Sequence, residues 1–443
     1  MTVMTVGLAA STNVNLSRNE HMKDSLSAQL SAESGLQFTL MSFTKLRMPA
    51  ATDSATLMTN LSEGLSDILD DTTNVGDQEV SYTGSTISIP AITAGTSSFT
   101  CSILALTPDA DGTPRCRLIA TGSCGSAVRT VSLDMKMVAV SADAFNYAIA
   151  SKGSISVSGS ATIDGMTSPD EANVLSINQD AFAISIGGSA TIGGDLFLTA
   201  EGEDSVYLQG GGLSVGGSSD IDEIVGNHVH RLPEDPDFPE LDLTPFQNLA
   251  TTVIDSDTDL SGPGLVVNNA RILAGTNPEF KQDTEINGIL YVESPNTVTF
   301  KSKVTLNAIV VTEDATGLPG PNVLDFKGQV TAPGVDALPD TPEFEAVKAQ
   351  SGTVVLAPGF SVQFRGSVNS INGTIAADQF SFLGNSNISG EIAGTIIGLS
   401  SASLVMQGNA TILVNKQDSN DTPAGFVHFK GLAVIADTYS EGN

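Results

Sequence analysis

The amino-acid sequence predicts a mainly β protein: a right-handed parallel β-helix, preceded by a long N-terminal helix and a small α/β module. Three observations lead there. A short core, Ser-Ala-Thr-Ile-(Asp/Gly)-Gly, occurs at residues 160–165 and again at 189–194. Of 443 residues 43 are glycine, aromatics make up only 5 % and tryptophan is absent, which favours thin stacked β structure over a bulky core. The hydrophobic spacing is helical up to residue 47 and changes to alternation from about residue 79.

The first segment, 1–49, opens with ten uncharged, mostly apolar residues. Spanning a bilayer takes about 20, so they read as the second half of a membrane helix whose first half is missing. Residues 14–47 follow as an amphipathic helix. Met22, Leu26 and Leu30 recur at four-residue intervals, Leu36, Leu40 and Phe43 continue the face, and Pro49 marks the stop.

The second segment, 50–140, begins with a further helix within 50–75, where Leu57, Leu61, Leu65 and Leu69 are spaced by four and Asp53 caps the start. Antiparallel strands are expected at 85–90, 98–104, 116–122 and 127–133, with 108–114 as a tight loop. All three cysteines, Cys101, Cys116 and Cys124, lie here. They are too few for a disulfide scaffold. One local disulfide, with Cys116 and Cys124 as its candidates, competes with free buried thiols.

The third segment, 141–443, consists of three- to five-residue strands punctuated by Gly, Asn and Asp. In a β-helix each strand points alternate side chains inward, where they stack on their equivalents one coil away. A single coil cannot bury its own face, so only stacking makes a core. Proline-rich stretches near 228–250 and 331–350 read as insertions on the outside of the coils. Thr244 and Pro245 open a short helix in the first of them.

Composition also excludes functions. Nineteen basic against 50 acidic residues give a net charge of −31, which argues against nucleic acid and anionic lipid as partners. Asp255, Asp257 and Asp259 have the alternate spacing that opens a calcium loop. Leu260 replaces the expected glycine, however, and Val266 stands where the closing glutamate belongs. His228 and His230, followed by Glu234, Asp235 and Asp237, offer metal-ligand types in a proline-rich loop. Asp164 and Asp195 are candidate carboxylates for glycoside chemistry, but both sit beside glycine at turns and no tryptophan is present to stack on sugar. The sequons at Asn372, Asn387 and Asn409 read more simply as corner asparagines.

Three stretches carry a family resemblance. The apolar stub leads into Arg18-Asn-Glu-His-Met-Lys23 and then Ala32-Glu-Ser-Gly-Leu36. Residues 116–131, Cys-Arg-Leu-Ile-Ala-Thr-Gly-Ser-Cys-Gly-Ser-Ala-Val-Arg-Thr-Val, form a strand-turn-strand, and Ile435-Ala-Asp-Thr-Tyr-Ser-Glu441 closes the chain. Together these resemble PilX-like type IV pilus assembly proteins and related minor pilins, over about 90 residues. The resemblance implies a pilin-like module over 50–140, residence in the inner membrane before assembly, and pilin or pseudopilin subunits as partners. It also implies a place at the cell surface. The apolar helix residues Val6, Leu8, Leu26, Leu36, Leu40 and Phe43 become the expected assembly surface. The lead expectation is thus a non-enzymatic, pilus-associated surface protein without a cofactor, calcium being the one candidate. A free-standing adhesin binding surface glycans is the alternative, and a carbohydrate-active enzyme the second.

Overall fold

The structure is a computed structural model that describes residues 2–383, 390–416 and 422–442, except for the side chains of 2–17, 390 and 391. The chain divides into two compact units: residues 1–140 together with 428–443, and residues 141–427.

In the first unit, helix α1 (Thr2–Thr44) runs without a break through the apolar start and the amphipathic stretch. Helix α2 (Leu57–Leu69) follows, and Leu57, Leu61, Leu65 and Leu69 are all buried, as their four-residue spacing anticipates. Asp53 Oδ1 accepts from the backbone N–H groups of Ala55 and Thr56, closing the turn before it. Strands β1 (Met48–Pro49), β2 (Ser81–Thr83), β3 (Thr86–Ala94), β4 (Ser97–Leu106), β5 (Arg115–Cys124) and β6 (Ala127–Val140) form an antiparallel sheet. In it β2, β3, β4, β5 and β6 lie in sequence order. Phe429–Val434 then inserts antiparallel between β6 and β1, and Ser440–Gly442 pairs with the start of β6. The stacked segment therefore does not reach 443. The last residues return to the first sheet because Phe429–Val434 occupies the free edge of β6, which an antiparallel sheet would otherwise expose.

The expected separation of 1–49 from 50–140 also gives way. The C-terminal half of α1 lies across β4, β5 and β6. Small residues permit that close approach: Ala28 and Ala32 are fully buried, and a Cβ placed on Gly122 of β5 would sit 2.0 Å from the Ala28 carbonyl oxygen. Leu36 and Phe43 are buried, with Leu40 against them, in a core with Leu61, Ile87, Ile103, Leu118 and Val131.

The second unit is a parallel sheet wound into successive coils, as a β-helix requires. The repeat seen in the sequence stacks in register: Thr191 and Ile192 pair with Thr162 and Ile163, which pair on their other side with Thr411 and Ile412. Inward residues form ladders. Phe280, Phe300, Phe326, Phe364 and Phe382 stack face to face with centroids 4.8, 5.0, 5.1 and 5.1 Å apart. Outside, Asn287 donates to Asn268 and Asn307 to Asn287, at 3.2 and 2.9 Å.

The order of the coils is not the order of the chain. Ile149–Ser151 pairs on one side with Val174–Ser176 and on the other with Ile396–Gly398. From Val174–Ser176 the stack continues to Leu196–Leu198 and ends at Val229–Arg231. In the other direction it runs back through Thr374–Phe382, Thr353–Phe364, Val304–Thr312, Thr284–Val292 and Leu265–Ile272 to Thr252–Ile254. The first coil to be synthesised thus sits in the interior of the stack. Residues 232–251 must carry the chain from one end to the other, about ten rungs or roughly 48 Å. An extended chain of that length covers this distance with slack.

This return strap accounts for the proline-rich stretch. Asp237 O accepts from Ala144 N, Leu241 pairs with Phe426, and Phe246 is buried against Ile289, Ile309 and Leu356. The second insertion adds Val335, Leu338, Phe344 and Val347 to the same outer cluster. Beneath it the strands bury both faces, so Ile289-Leu-Tyr-Val292 and Ile309-Val-Val311 are unbroken apolar runs rather than alternating ones.

Candidate functional site: the outward face of helix α1

Helix α1 carries two faces with different fates. Ala28, Ala32, Gly35, Leu36, Thr39 and Phe43 look onto the sheet and are closed to any other molecule. This corrects the expectation for Leu36, Leu40 and Phe43, which belong to the core of the unit and not to an assembly surface. The physical cause is the seam of small residues, which brings the helix so close to β5 that the large residues on either side become core.

Leu26 has the opposite placement. It is 60 % exposed, with Met22 and Leu30 one turn to either side at 71 % and 54 %, and Met41 further along at 71 %. Met22, Leu26 and Leu30 form a continuous ridge, since residues four apart lie on one helix face. Exposed single hydrophobics need no explanation, whereas an aligned row of them marks a contact surface. Val6 and Leu8 lie on the same helix, in the stretch whose side chains are outside the described ones. The first 17 residues carry no charge. No described helix is long and apolar enough to cross a membrane.

The flank of the helix is polar and tied down. Arg129 of β6 donates to Ser25 Oγ at 2.8 Å, and Gln29 donates to Glu33 at 3.2 Å. Behind the helix, Arg117 grips Asp134 through two hydrogen bonds of 2.6 and 3.0 Å, and Arg115 stands 3.6 Å away. The Arg117 hydrogen bond holds the Asp134 carboxyl below the usual carboxylate range, against the opposing effect of burial.

The three cysteines are free thiols and buried. The expected Cys116–Cys124 pair cannot form, because the two residues are the second and last of one strand, β5. Eight residues of strand separate them by roughly 26 Å, far beyond the reach of a disulfide. Burial pushes the Cys101 thiol up to about 11 and the Cys116 thiol up to about 12.

In the second unit the candidate acidic residues are engaged in hydrogen bonds within the protein. Among the described residues no group of three or more His, Cys, Asp or Glu side chains is arranged to hold a metal ion. Asp255 Oδ1 accepts from Asp257 N and Thr258 Oγ1, and Asp259 Oδ1 from Ser261 N and Oγ. These are turns closed by aspartate, and Asp257 forms no cage with the other two. Asp195 bridges His228 Nδ1 at 2.8 Å and His230 Nε2 at 2.7 Å, while His230 stacks on Phe197 at 4.8 Å. Burial raises the Asp195 carboxyl, but the two histidine hydrogen bonds outweigh it and leave it below the usual range. Asp164 lies within the strand Thr162–Gly165, not at the expected turn, and its Oδ1 accepts from the N–H of Gly165. Asn372 closes a strand and Asn409 lies at a turn, while Asn387 is outside the described residues.

No protein family matches this chain, and no curated protein does. Among solved structures the chain is similar to the competence-associated pilin ComZ from Thermus thermophilus, with 14 % identity over 95 % of this chain and 98 % of that one and a TM-score of 0.24. A likeness of that size fixes no function.

Proposed function

We propose that the protein is a non-enzymatic, pilus-associated structural protein of the cell surface, assembled among pilin or pseudopilin subunits through α1. In this reading the second unit is a right-handed parallel β-helix that the protein displays, and the chain takes no cofactor. The inner membrane holds it before assembly. One observation carries the proposal: α1 offers an unbroken apolar ridge at Met22, Leu26 and Leu30 while its opposite face is sealed against the sheet. The resemblance of Arg18–Lys23, Ala32–Leu36 and 116–131 to minor pilins supports it. The placement of Asp164 within a strand ladder and of Asp195 in a histidine bridge favours packing and display over turnover.

The test is co-assembly with the pilin system of the source cell, followed by electron microscopy with a label on the second unit. The comparison protein is Met22→Glu/Leu26→Glu/Leu30→Glu, which leaves the core untouched. Loss of filament-associated label, with an unchanged melting curve, supports the proposal. Equal labelling of both proteins, or no association of either, ends it.

A further inference from the structure

A second surface lies on the β-helical unit and is independent of the filament reading. The residue after each of four stacked phenylalanines is basic: Lys281, Lys301, Lys327 and Arg365. The backbone puts these four in one column. Lys301 N donates to Phe280 O, Lys327 N to Phe300 O and Arg365 N to Phe326 O, at 2.8, 2.9 and 2.8 Å. The phenylalanine rings beneath repeat every 4.8 to 5.1 Å, so the column holds one cation per rung. Their side chains are 61, 40, 45 and 48 % exposed. Lys303 is exposed beside them. In a chain with 19 basic residues and a net charge of −31, such a row is not chance decoration.

Two carboxylates organise the row without cancelling it. Glu279 lies 2.7 Å from Lys301 and 3.7 Å from Lys281, and the buried Asp325 lies 3.3 Å from Lys327 and 3.2 Å from Arg365. Each carboxylate is shared by two cations, which leaves positive charge in excess along the column. At its Lys281 end the row runs into a cleft of about 300 Å³ whose lining includes Asp255, Asp259, Glu279, Lys281, Ser261 and Asn277, an acidic and polar lining suited to the hydroxyl groups of a sugar rather than to its carboxylate.

We infer that this column binds a linear acidic polysaccharide lying along the stack, with its carboxylates over the successive cations and its end sugar in the cleft. A uronate polymer carries one charge per sugar ring, a sparse and regular line that a single row of cations at strand spacing can follow. Nucleic acid fits less well. Its dense phosphate charge calls for several parallel contacts and suffers from the acidic remainder of the molecule. Single strands also need aromatic platforms for base stacking, whereas the phenylalanines here point inward and are buried.

The experiment is calorimetric titration of the full-length protein at low salt with a homo-oligouronate, a neutral oligosaccharide of equal length and single-stranded DNA. Expected are binding of the oligouronate alone, at least tenfold weakening on raising salt to roughly 0.5 M, and at least tenfold weakening in Lys281→Gln/Lys301→Gln. Those two side chains leave the Asp325 pairs intact, so the fold is kept. Lys136→Gln, an exposed change in the other unit, should bind like the parent. Absence of oligouronate binding, equal binding by the double variant, or preference for DNA or the neutral sugar overturns the inference.

Discussion

Gly122 shows how much a single hydrogen can decide. A methyl group there would lie 2.0 Å from a backbone oxygen of α1 and 2.3 Å from a backbone nitrogen. Neither can yield without moving the helix, so Gly122→Ala should cost about 3 kcal/mol or more, at the upper end of overpacking changes, in chemical denaturation of the first unit. Asp134 sets the acid limit of the same unit. Its folded carboxyl is held below the ordinary range, so its contribution is fully present above about pH 4 and disappears as pH falls through the lower folded value. Asp134→Asn should therefore cost about 1–3 kcal/mol at neutral pH and flatten the acid side of the stability–pH profile. With thiols pushed up to about 11 and 12 by burial, Cys101 and Cys116 are protonated at neutral pH. A thiol-specific reagent should label them only as fast as the protein unfolds, and rapid labelling of native protein would contradict their placement.

At the level of elements, the two faces of α1 separate stability from the proposed assembly. Phe43→Ala should lower stability by about 3–5 kcal/mol, whereas Leu26→Glu should change it by less than about 0.5 kcal/mol and act only on association. Equilibrium unfolding of the two variants tests this directly. The apolar periodicity of α1 was legible in the sequence, but its orientation was not. Met22, Leu26 and Leu30 form the better hydrophobic row, yet Ala28, Ala32 and Gly35 win the sheet, because close approach to β5 rewards small size over hydrophobicity. The phenylalanine column is the corresponding case in the second unit. Phe-Lys or Phe-Arg recurs at 280, 300, 326 and 364 with intervals of 20 to 38 residues, a signal that uneven coil lengths conceal from a search for fixed periods. Phe326, in the middle of the stack, loses partners on both sides when truncated, and Phe326→Ala should cost about 3–5 kcal/mol.

At the scale of the whole molecule, the sequence revealed a stack but not its order. The pairs that join the interior coils are far apart in the chain: Ser154 and Ser403, 249 residues from each other, meet side chain to side chain at 2.7 Å. Composition and period say nothing of that closure, nor of the return of Phe429–Val434 to the first sheet. Such non-local pairing predicts slow folding, and a chain ending before Leu404 should leave the edges of Ile155–Gly159 and Thr162–Gly165 open and aggregate, as light scattering on refolding would show. The same closure has a mechanical consequence. The two ends of the second unit come together, with Ser141 Oγ 3.4 Å from Thr422 Oγ1. Tension transmitted through residues 141 and 427 therefore enters and leaves at one point. A pull applied at those two residues does not grip the stack at opposite ends, and so does not tear its rungs apart one after another.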